Sequence, residues 1–243
     1  MWVNAKTLIL RKIKKLTVLF CFGGAAALGQ KSPVKHEHDL LWSTARVVSV
    51  FSTDWQLRSD FSYRNFIMNG QRSQLITHQH LHRKLGNKDL ALGYTFSNAL
   101  AYEATYARSE HRAFLEGNYD LKIKKANLQQ RLRIEERFFL DNLATETNEQ
   151  EIRPRFRYRI MYAYGLGPST RLLLYNELFL QTSSATRRVF DTNRLGLTLN
   201  QKIGSHLTLE AGYMYSLKSS RSTIYYANNL QLGLQYLLMK KQK

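Results

Sequence analysis

Cysteine and acidic residues are scarce in this sequence. Of 243 residues only Cys21 is a cysteine, and 18 Asp and Glu stand against 36 Lys and Arg, which gives a formal net charge of +18. A single thiol excludes a framework of internal disulfides. The basic excess predicts affinity for anions, and it fits nucleic acid, a lipopolysaccharide surface or an acidic solute equally well.

The motifs of soluble enzymes are also missing. The sequence contains no G-x-S-x-G elbow, no phosphate-binding glycine loop and no dinucleotide fingerprint. We therefore expect no cofactor and assign no catalytic residue. One kind of enzyme stays open, a lipid-modifying barrel, because its serine and histidine would face lipid near a rim, where no sequence pattern identifies them.

The first thirty residues differ from the rest of the chain. Five basic residues and no acid precede an apolar stretch of 14 residues, Leu16 to Gly29. This pattern is typical of a secretory signal peptide, so we assign residues 1–29 to a signal cleaved near Gln30. A transmembrane anchor is the alternative, although a helical span needs about 20 apolar residues. Cleavage removes Cys21 and five of the 18 excess charges, which leaves an exported chain near +13. Nucleic acid is not an expected partner of such a chain.

After residue 38 no helical periodicity lasts. Apolar and polar residues alternate instead in eleven segments, divided by turn signals such as "GNKD" at 86–89 and "GLGPS" at 165–169. We divide the chain beyond the signal into an N-terminal segment, 30–37, a single β-domain, 38–238, and a basic tail, 239–243. The segments exceed an ordinary soluble strand of about five or six residues and match a tilted membrane strand of about 9–11.

The two faces of each segment differ sharply. In "RLRIEERFF", residues 131–139, charged side chains alternate with mostly apolar ones, which places the charges on one face of a strand. A soluble sandwich would turn the apolar face inward, whereas a membrane barrel would turn it toward lipid. Strand length, the alternation of short and long connections and the signal peptide favour the barrel. We predict an all-β fold: an antiparallel, transmembrane, up-and-down β-barrel of about twelve strands, with ten as the alternative.

Strand number follows from where the chain ends lie. If both ends are periplasmic, the number of strands is even, so the eleven segments require one more. We expect it either within 89–108 or in the N-terminal stretch 30–40.

In such a barrel the charged faces point into the lumen, because an Arg or Lys that faces lipid near the midplane costs about 2–4 kcal/mol. We predict these lumen-lining residues: Arg131, Arg133, Glu135, Arg137, Arg153, Arg155, Arg157, Arg159, Glu177, Arg194 and Glu210. They form either an anion-attracting passage or a salt-bridge network that fills the barrel. Glu136 falls on the lipid face by parity, so we expect it near a rim, beside a bulge or at a strand shift.

Three alternating histidines, His78, His80 and His82, share one face of another segment. Alternate histidines bind zinc when a further ligand joins them, and otherwise they form a polar lumen face. We assign no metal site and keep the three as weak zinc candidates.

The C-terminal run with Gln231, Gly233, Tyr236 and Leu238 resembles the terminal signal that the barrel-assembly machinery of Gram-negative bacteria reads, although "MKKQK" follows Leu238 here. The chain is also similar to a domain-of-unknown-function family of bacterial outer-membrane β-barrel proteins. The signatures of that resemblance are, in order, "SEHR" (109–112), "RLRIEERF" (131–138), "RPRFRYR" (153–159), "YNELF" (175–179), "DTNRLGL" (191–197) and "LEAGYM" (209–214). The resemblance implies a barrel in the outer membrane, and it brings no established activity.

Together these patterns predict an exported protein of the Gram-negative outer membrane. Its expected partners are outer-membrane lipids, lipopolysaccharide and the assembly machinery. We hypothesise a passive, anion-biased channel or small-solute tube with an arginine-lined lumen. The alternative is a plugged barrel with a structural or adhesive role.

Overall fold

The structure, a computed structural model, describes residues 33–100, 107–124, 126–141, 151–181, 189–220 and 223–239. These ranges form twelve strands: β1 (Val34–His36), β2 (Leu40–Val50), β3 (Trp55–Phe66), β4 (Arg72–Leu85), β5 (Lys88–Leu100), β6 (Ala107–Ile123), β7 (Ala126–Asp141), β8 (Glu151–Gly165), β9 (Thr170–Gln181), β10 (Phe190–Ile203), β11 (Leu207–Ser220) and β12 (Thr223–Met239). The predicted signal peptide, with Cys21, and the tail beyond Met239 lie outside the described residues. Within those residues no helix is long and apolar enough to cross a membrane.

The sheet closes into a barrel. From β2 to β12 each strand pairs antiparallel with the next, and β12 pairs with β2 to complete the ring. Closure removes the unpaired strand edges that an open sheet would leave. The predicted all-β barrel of about twelve strands is therefore confirmed.

The closing pair is parallel, which differs from the expected even, wholly antiparallel ring. β2 pairs with β12 from Leu40↔Asn229 onward, and β1 pairs in the same direction with the same edge of β12, starting at Val34↔Ile224. β1 thus extends β2 after a short irregularity, and eleven strands make the ring. The twelfth strand lies in the N-terminal segment predicted as 30–37, and β5 and β6 account for the described residues of 89–108.

The two ends of the barrel differ in their connections. At one end the strands join through residues 51–54, 86–87, 124–125, 166–169 and 204–206; at the other they join through 67–71, 101–106, 142–150, 182–189 and 221–222. We call these the short-turn end and the long-loop end. Because β2 runs parallel to β12, Pro33 lies at the long-loop end and Met239 at the short-turn end.

The barrel reverses the burial pattern of a soluble protein. Outward-facing Leu115 and Ile134 are 63% and 62% exposed, whereas inward-facing Glu135 is 1% exposed. Glu136 faces outward as parity predicts, and β7 stays in regular register there with Ala113 and Pro154. No bulge accompanies Glu136; it lies toward the long-loop end of β7.

Two inward glycines make room for aromatic rings on the inner wall. A Cβ atom at Gly93 would overlap the ring of Phe114, and one at Gly196 would overlap the ring of Tyr175. Each ring therefore lies over a glycine of the neighbouring strand, a pairing that covers the backbone where a side chain is absent. This arrangement lets the two rings lie close against the backbone of the inner wall.

Candidate functional site

The interior of the barrel holds a cavity of about 800 Å³. All eleven strands of the ring contribute to its lining, which runs on β6 from Arg108 to Asn118 and on β7 from Phe139 to Gln129. Among the described residues, inward side chains closer to the short turns, such as Asp120, do not line it. The cavity therefore occupies the part of the lumen toward the long-loop end.

The lining is strongly basic. Twelve arginines and Lys218 line the cavity, together with five acidic residues. The carboxylates of Glu135 and Glu177 are bound to arginines of this lining, and counting both leaves an excess of six positive charges among the described residues. An aqueous space with such a lining has a positive potential, which low-dielectric walls concentrate.

Strands β6 to β9 carry an ordered network that we call the paired wall. Its members are the arginines Arg112, Arg131, Arg133, Arg137, Arg155 and Arg157 and the glutamates Glu110, Glu116, Glu135 and Glu177. At its centre, Glu135 accepts hydrogen bonds from Arg155 Nε at 2.8 Å and Arg157 Nη1 at 2.7 Å. Arg157 also donates through Nε and Nη2 to Glu177 Oε1, at 3.0 and 2.7 Å. Buried charges require this kind of pairing, because desolvation of an unpaired ion costs several kcal/mol.

The same pattern continues toward the long-loop end of the paired wall. Arg112 binds Glu110 with two parallel hydrogen bonds, both at 2.7 Å, and Arg137 donates to the same carboxylate. Glu116, deeper in the lumen, accepts from Arg133 Nε at 2.6 Å and from Asn118 at 2.9 Å. Each glutamate of the wall thus holds more than one donor, which fixes the arginines in place.

A second group, which we call the open cluster, consists of Trp42 on β2, Arg64 on β3 and Arg194 on β10. The guanidinium carbons of Arg64 and Arg194 lie 3.5 and 5.1 Å from the Trp42 ring centroid. Within the described part of the chain neither arginine forms an ion pair with a carboxylate, and the Nε atoms of both lack a hydrogen-bond partner. The open cluster therefore presents positive charge that the protein does not neutralise itself.

Sequence reasoning missed the aromatic rings of the lumen. Trp42, Phe114, Phe139 and Phe179 face inward, and each has a guanidinium carbon within 3.5 to 4.5 Å of its ring centroid. Three guanidinium carbons lie near Phe179: those of Arg157 and Arg194 are each 4.5 Å from its ring centroid, and that of Arg155 is 5.2 Å away. The alternation of the strand could have identified one of these rings, because Phe139 continues the inward series of Arg131 to Arg137. An aromatic residue in a barrel strand, however, also suits the lipid-facing side.

The predicted lumen residues separate into three groups. Seven line the cavity: Arg131, Arg133, Arg137, Arg155, Arg157, Arg159 and Arg194. Glu135 and Glu177 are buried and bound to those arginines, and Arg153 lies beside Phe139. Glu210 is set apart, since it accepts a hydrogen bond from Asn200 at 3.1 Å and adjoins Gly233 near the short-turn end.

The three histidines are engaged separately. His78 bonds Thr95 at 2.6 Å and His82 bonds Asp89 at 2.8 Å, while the His80 ring stacks on His82 and meets Phe114 edge-on. In the described residues no three potential metal ligands converge. The three histidines thus lie among polar and aromatic side chains on the inner face of β4.

The residues of the terminal signal share β12. Gln231 and Gly233 face inward, where Gln231 accepts a hydrogen bond from the Tyr175 hydroxyl at 3.2 Å. Tyr236 and Leu238 face outward and are 44% and 46% exposed. The motif therefore occupies the strand that closes the ring, with its apolar members on the outer surface.

Comparison with solved structures finds two porins and a siderophore receptor. The fold is similar to the NanC porin (TM-score 0.46, 12% identity, 74% of this chain and 81% of that one). It is also similar to the siderophore receptor PirA from Pseudomonas aeruginosa (0.37, 14%, 72% and 32%) and to an anion-selective porin from Comamonas acidovorans (0.38, 11%, 75% and 53%). No curated protein matches the sequence.

A family model matches residues 40–227, from β2 into β12, and so includes the paired wall and the open cluster. The model is described as "Protein of unknown function (DUF2490)". The match covers well over half of the 243 residues. The chain therefore belongs to the DUF2490 family of proteins of unknown function.

Proposed function

We propose that this protein is a β-barrel of the Gram-negative outer membrane whose lumen admits small anionic solutes, as an anion-biased channel or small-solute tube. The observation that carries the proposal is the cavity of about 800 Å³ whose lining has an excess of arginine over acid. A cavity of this size accommodates a small organic solute. Rings of arginine and lysine are the means by which pores favour anions.

The outward face supports a membrane location. Strands of the ring have 11 to 17 residues, long enough for a tilted bilayer span of about 9–11. Leucines such as Leu92 and Leu232 are 61% and 52% exposed on the outside, which suits hydrocarbon. Closure satisfies the backbone without water. In the proposed orientation the long-loop end, with Pro33, faces outward.

Further proposals follow from this location. Outer-membrane lipids would contact the apolar face, and lipopolysaccharide would contact the long-loop end of the barrel. The terminal motif on β12 would guide the assembly machinery. A Gram-negative strain depleted of that machinery should then fail to accumulate the folded protein in its outer membrane.

Current through single barrels tests the channel proposal. The purified protein is inserted into a planar bilayer with a KCl gradient, and the reversal potential is measured. The positive lining predicts a current carried mainly by chloride. Cation preference, or the absence of current through folded barrels, would exclude an anion-biased channel.

The second candidate is a plugged structural barrel, and the paired wall favours it. Four glutamates hold six arginines there, so part of the interior serves stability. Replacing Arg155 and Arg157 by Ala would then lower thermal stability and leave permeability unchanged. Anion current in the parent protein contradicts this candidate directly.

A further inference from the structure

The open cluster joins two distant parts of the barrel. Trp42 on β2 lies directly opposite Arg64 on β3 in the strand register, and Arg194 approaches the same indole from β10. The two guanidinium carbons are 3.5 and 5.1 Å from the ring centroid, so they are no more than the sum, 8.6 Å, apart. All three side chains line the cavity.

The cluster has hydrogen-bond donors without acceptors. Trp42 Nε1, Arg64 Nε and Arg194 Nε are buried and lack a partner in the described residues. Arg64 makes one side-chain hydrogen bond, from Nη1 to Gln74 Oε1 at 2.6 Å. For Arg194 the described chain shows ring contacts with Trp42 and Phe179 and no side-chain hydrogen bond. Buried donors in native proteins usually have a partner, so this group has capacity for a ligand.

The carboxylate opposite Arg194 in the strand register is bound to other arginines. Glu177 is the register partner of Arg194 across β9 and β10. Its Oε1 nevertheless accepts hydrogen bonds from Arg157 and from Arg131. Arg194 therefore faces the cavity without an ion pair in the described residues, and it repels Arg64 across the indole ring.

The paired wall shows what would complete the open cluster. There a carboxylate occupies the space between two guanidinium groups, as Glu135 does between Arg155 and Arg157. The open cluster has the guanidinium groups and no carboxylate of its own. An oxyanion supplied by a solute would take that position, where the planar guanidinium fork matches carboxylate and phosphoryl oxygens.

We propose that Trp42, Arg64 and Arg194 form a binding site for the oxyanion group of a small solute, either a carboxylate or a phosphoryl group. The proposal rests on the proposed function insofar as the solute must enter the lumen. Stacking against the Trp42 ring holds the guanidinium groups in place before the ligand arrives, which lowers the entropy lost on binding. The indole N–H adds a further donor, so that the several oxygens of an oxyanion can accept hydrogen bonds from Trp42 and from both guanidinium groups at once.

Tryptophan fluorescence measures binding independently of conduction. The variant Trp55→Phe leaves Trp42 as the one tryptophan beyond the predicted signal segment. In detergent, at constant ionic strength, it is titrated with inorganic phosphate and with succinate against sodium chloride. We expect a saturable change with phosphate, succinate or both that chloride does not reproduce. The comparison of the two anions identifies the preferred oxyanion.

Variants in the Trp55→Phe background locate the site. Arg194→Gln should weaken binding by about tenfold or more, because a charge-assisted hydrogen bond is lost. The matched control is Arg83→Gln, whose guanidinium carbon lies 5.5 Å from the Trp55 ring in the original chain, away from the cavity. It should leave the affinity unchanged. If Arg194→Gln does not fold, Arg64→Gln is measured in the same way.

Two outcomes overturn the site: no saturable response beyond chloride, or a folded Arg194→Gln or Arg64→Gln variant with the affinity of its parent. The bilayer measurement separates this inference from the proposed function. Anion-selective current without saturable binding removes the site and leaves the channel. Saturable binding without current retains the site, in a barrel that binds solutes without passing them.

Discussion

The paired wall and the open cluster use the same residue type, arginine, in opposite ways. On the paired wall, arginines from β6, β7 and β8 are held by glutamates that are almost fully buried, such as Glu135 at 1% and Glu177 at 4% exposure. In the open cluster, Arg64 and Arg194 rest against an indole ring with no carboxylate bound to them in the described chain. Every arginine of the paired wall is in an ion pair, whereas the two arginines of the open cluster form none within the described residues.

Strand register alone does not explain this difference. Glu177 is opposite Arg159 on one side and Arg194 on the other, yet it binds neither of them. Its hydrogen bonds go to Arg157 and Arg131, which reach it diagonally from the same side of the lumen. Long side chains contact diagonal neighbours readily, so the choice among arginines depends on how the whole wall packs. The outcome is one wall whose six arginines are all ion-paired and one cluster whose two arginines form no ion pair within the described residues.

Removal of the Glu135 carboxylate should have the largest effect on the stability of the barrel. Glu135→Gln leaves Arg155 and Arg157 facing each other without their carboxylate. Breaking a buried ion pair by deleting one partner costs about 3–5 kcal/mol. We expect the free energy of unfolding, measured by urea titration in lipid vesicles, to fall by that amount.

The adjacent residue supplies the control. Glu136→Gln makes the same chemical change one position away, on the exposed outer face. It should leave the free energy of unfolding within about 0.5 kcal/mol of the parent. Equal losses in both variants would show that the network of the paired wall does not stabilise the barrel.

A double-mutant cycle measures the coupling within the wall. Arg157→Gln and Glu177→Gln remove the two ends of an interaction with hydrogen bonds of 2.7 and 3.0 Å. Because the residues are in contact, we expect a coupling energy of about 2 kcal/mol. The same cycle with Arg159→Gln should give a value near zero, since Arg159 is a register partner of Glu177 without a hydrogen bond to it. Similar coupling energies in both cycles would mean that the attraction of the charges, and not the hydrogen bonds, accounts for the coupling between arginine and Glu177.

The sequence predicted the local features of the barrel, and it did not predict the non-local ones. Alternation over 131–139 was enough to place Arg131 and Glu135 on one face, because strand period is a local property. Closure could not be predicted that way: the parallel pairing of β2 with β12 depends on residues nearly two hundred positions apart. Pairing within the lumen is likewise non-local, and parity cannot show that Glu177 binds Arg157 in preference to Arg194.

The aromatic rings inside the lumen were the second feature that the sequence did not predict. Phe156 and Tyr162 lie on the outer face, where they are 38% and 43% exposed. Phe179 is 1% exposed inside the lumen. Its neighbours explain why: guanidinium groups bind the face of an aromatic ring, so a phenylalanine is favourable among arginines.

Phe179→Leu should therefore have a moderate effect. The substitution keeps an apolar side chain and removes the ring that Arg155, Arg157 and Arg194 contact. We expect a loss of about 1 kcal/mol in the free energy of unfolding. Phe156→Leu, on the outer face, should change it by less than about 0.5 kcal/mol. Equal effects would mean that the guanidinium contacts contribute nothing beyond ordinary packing.

The smallest effect on stability is expected in the open cluster, and it is the most informative. Arg194→Gln removes a charge without an ion pair in the described chain, so the lost ring contacts are offset by reduced repulsion with Arg64. We expect the free energy of unfolding to change by less than about 0.5 kcal/mol, while the reversal potential in a KCl gradient shifts toward that of a non-selective barrel. Arg157→Gln on the paired wall should have the opposite result: a large loss in the free energy of unfolding and little change in the reversal potential. Arg194→Gln could instead destabilise the barrel as much as Arg157→Gln does and leave selectivity unchanged. The paired wall and the open cluster would then both serve stability, and the distinction between them would be wrong.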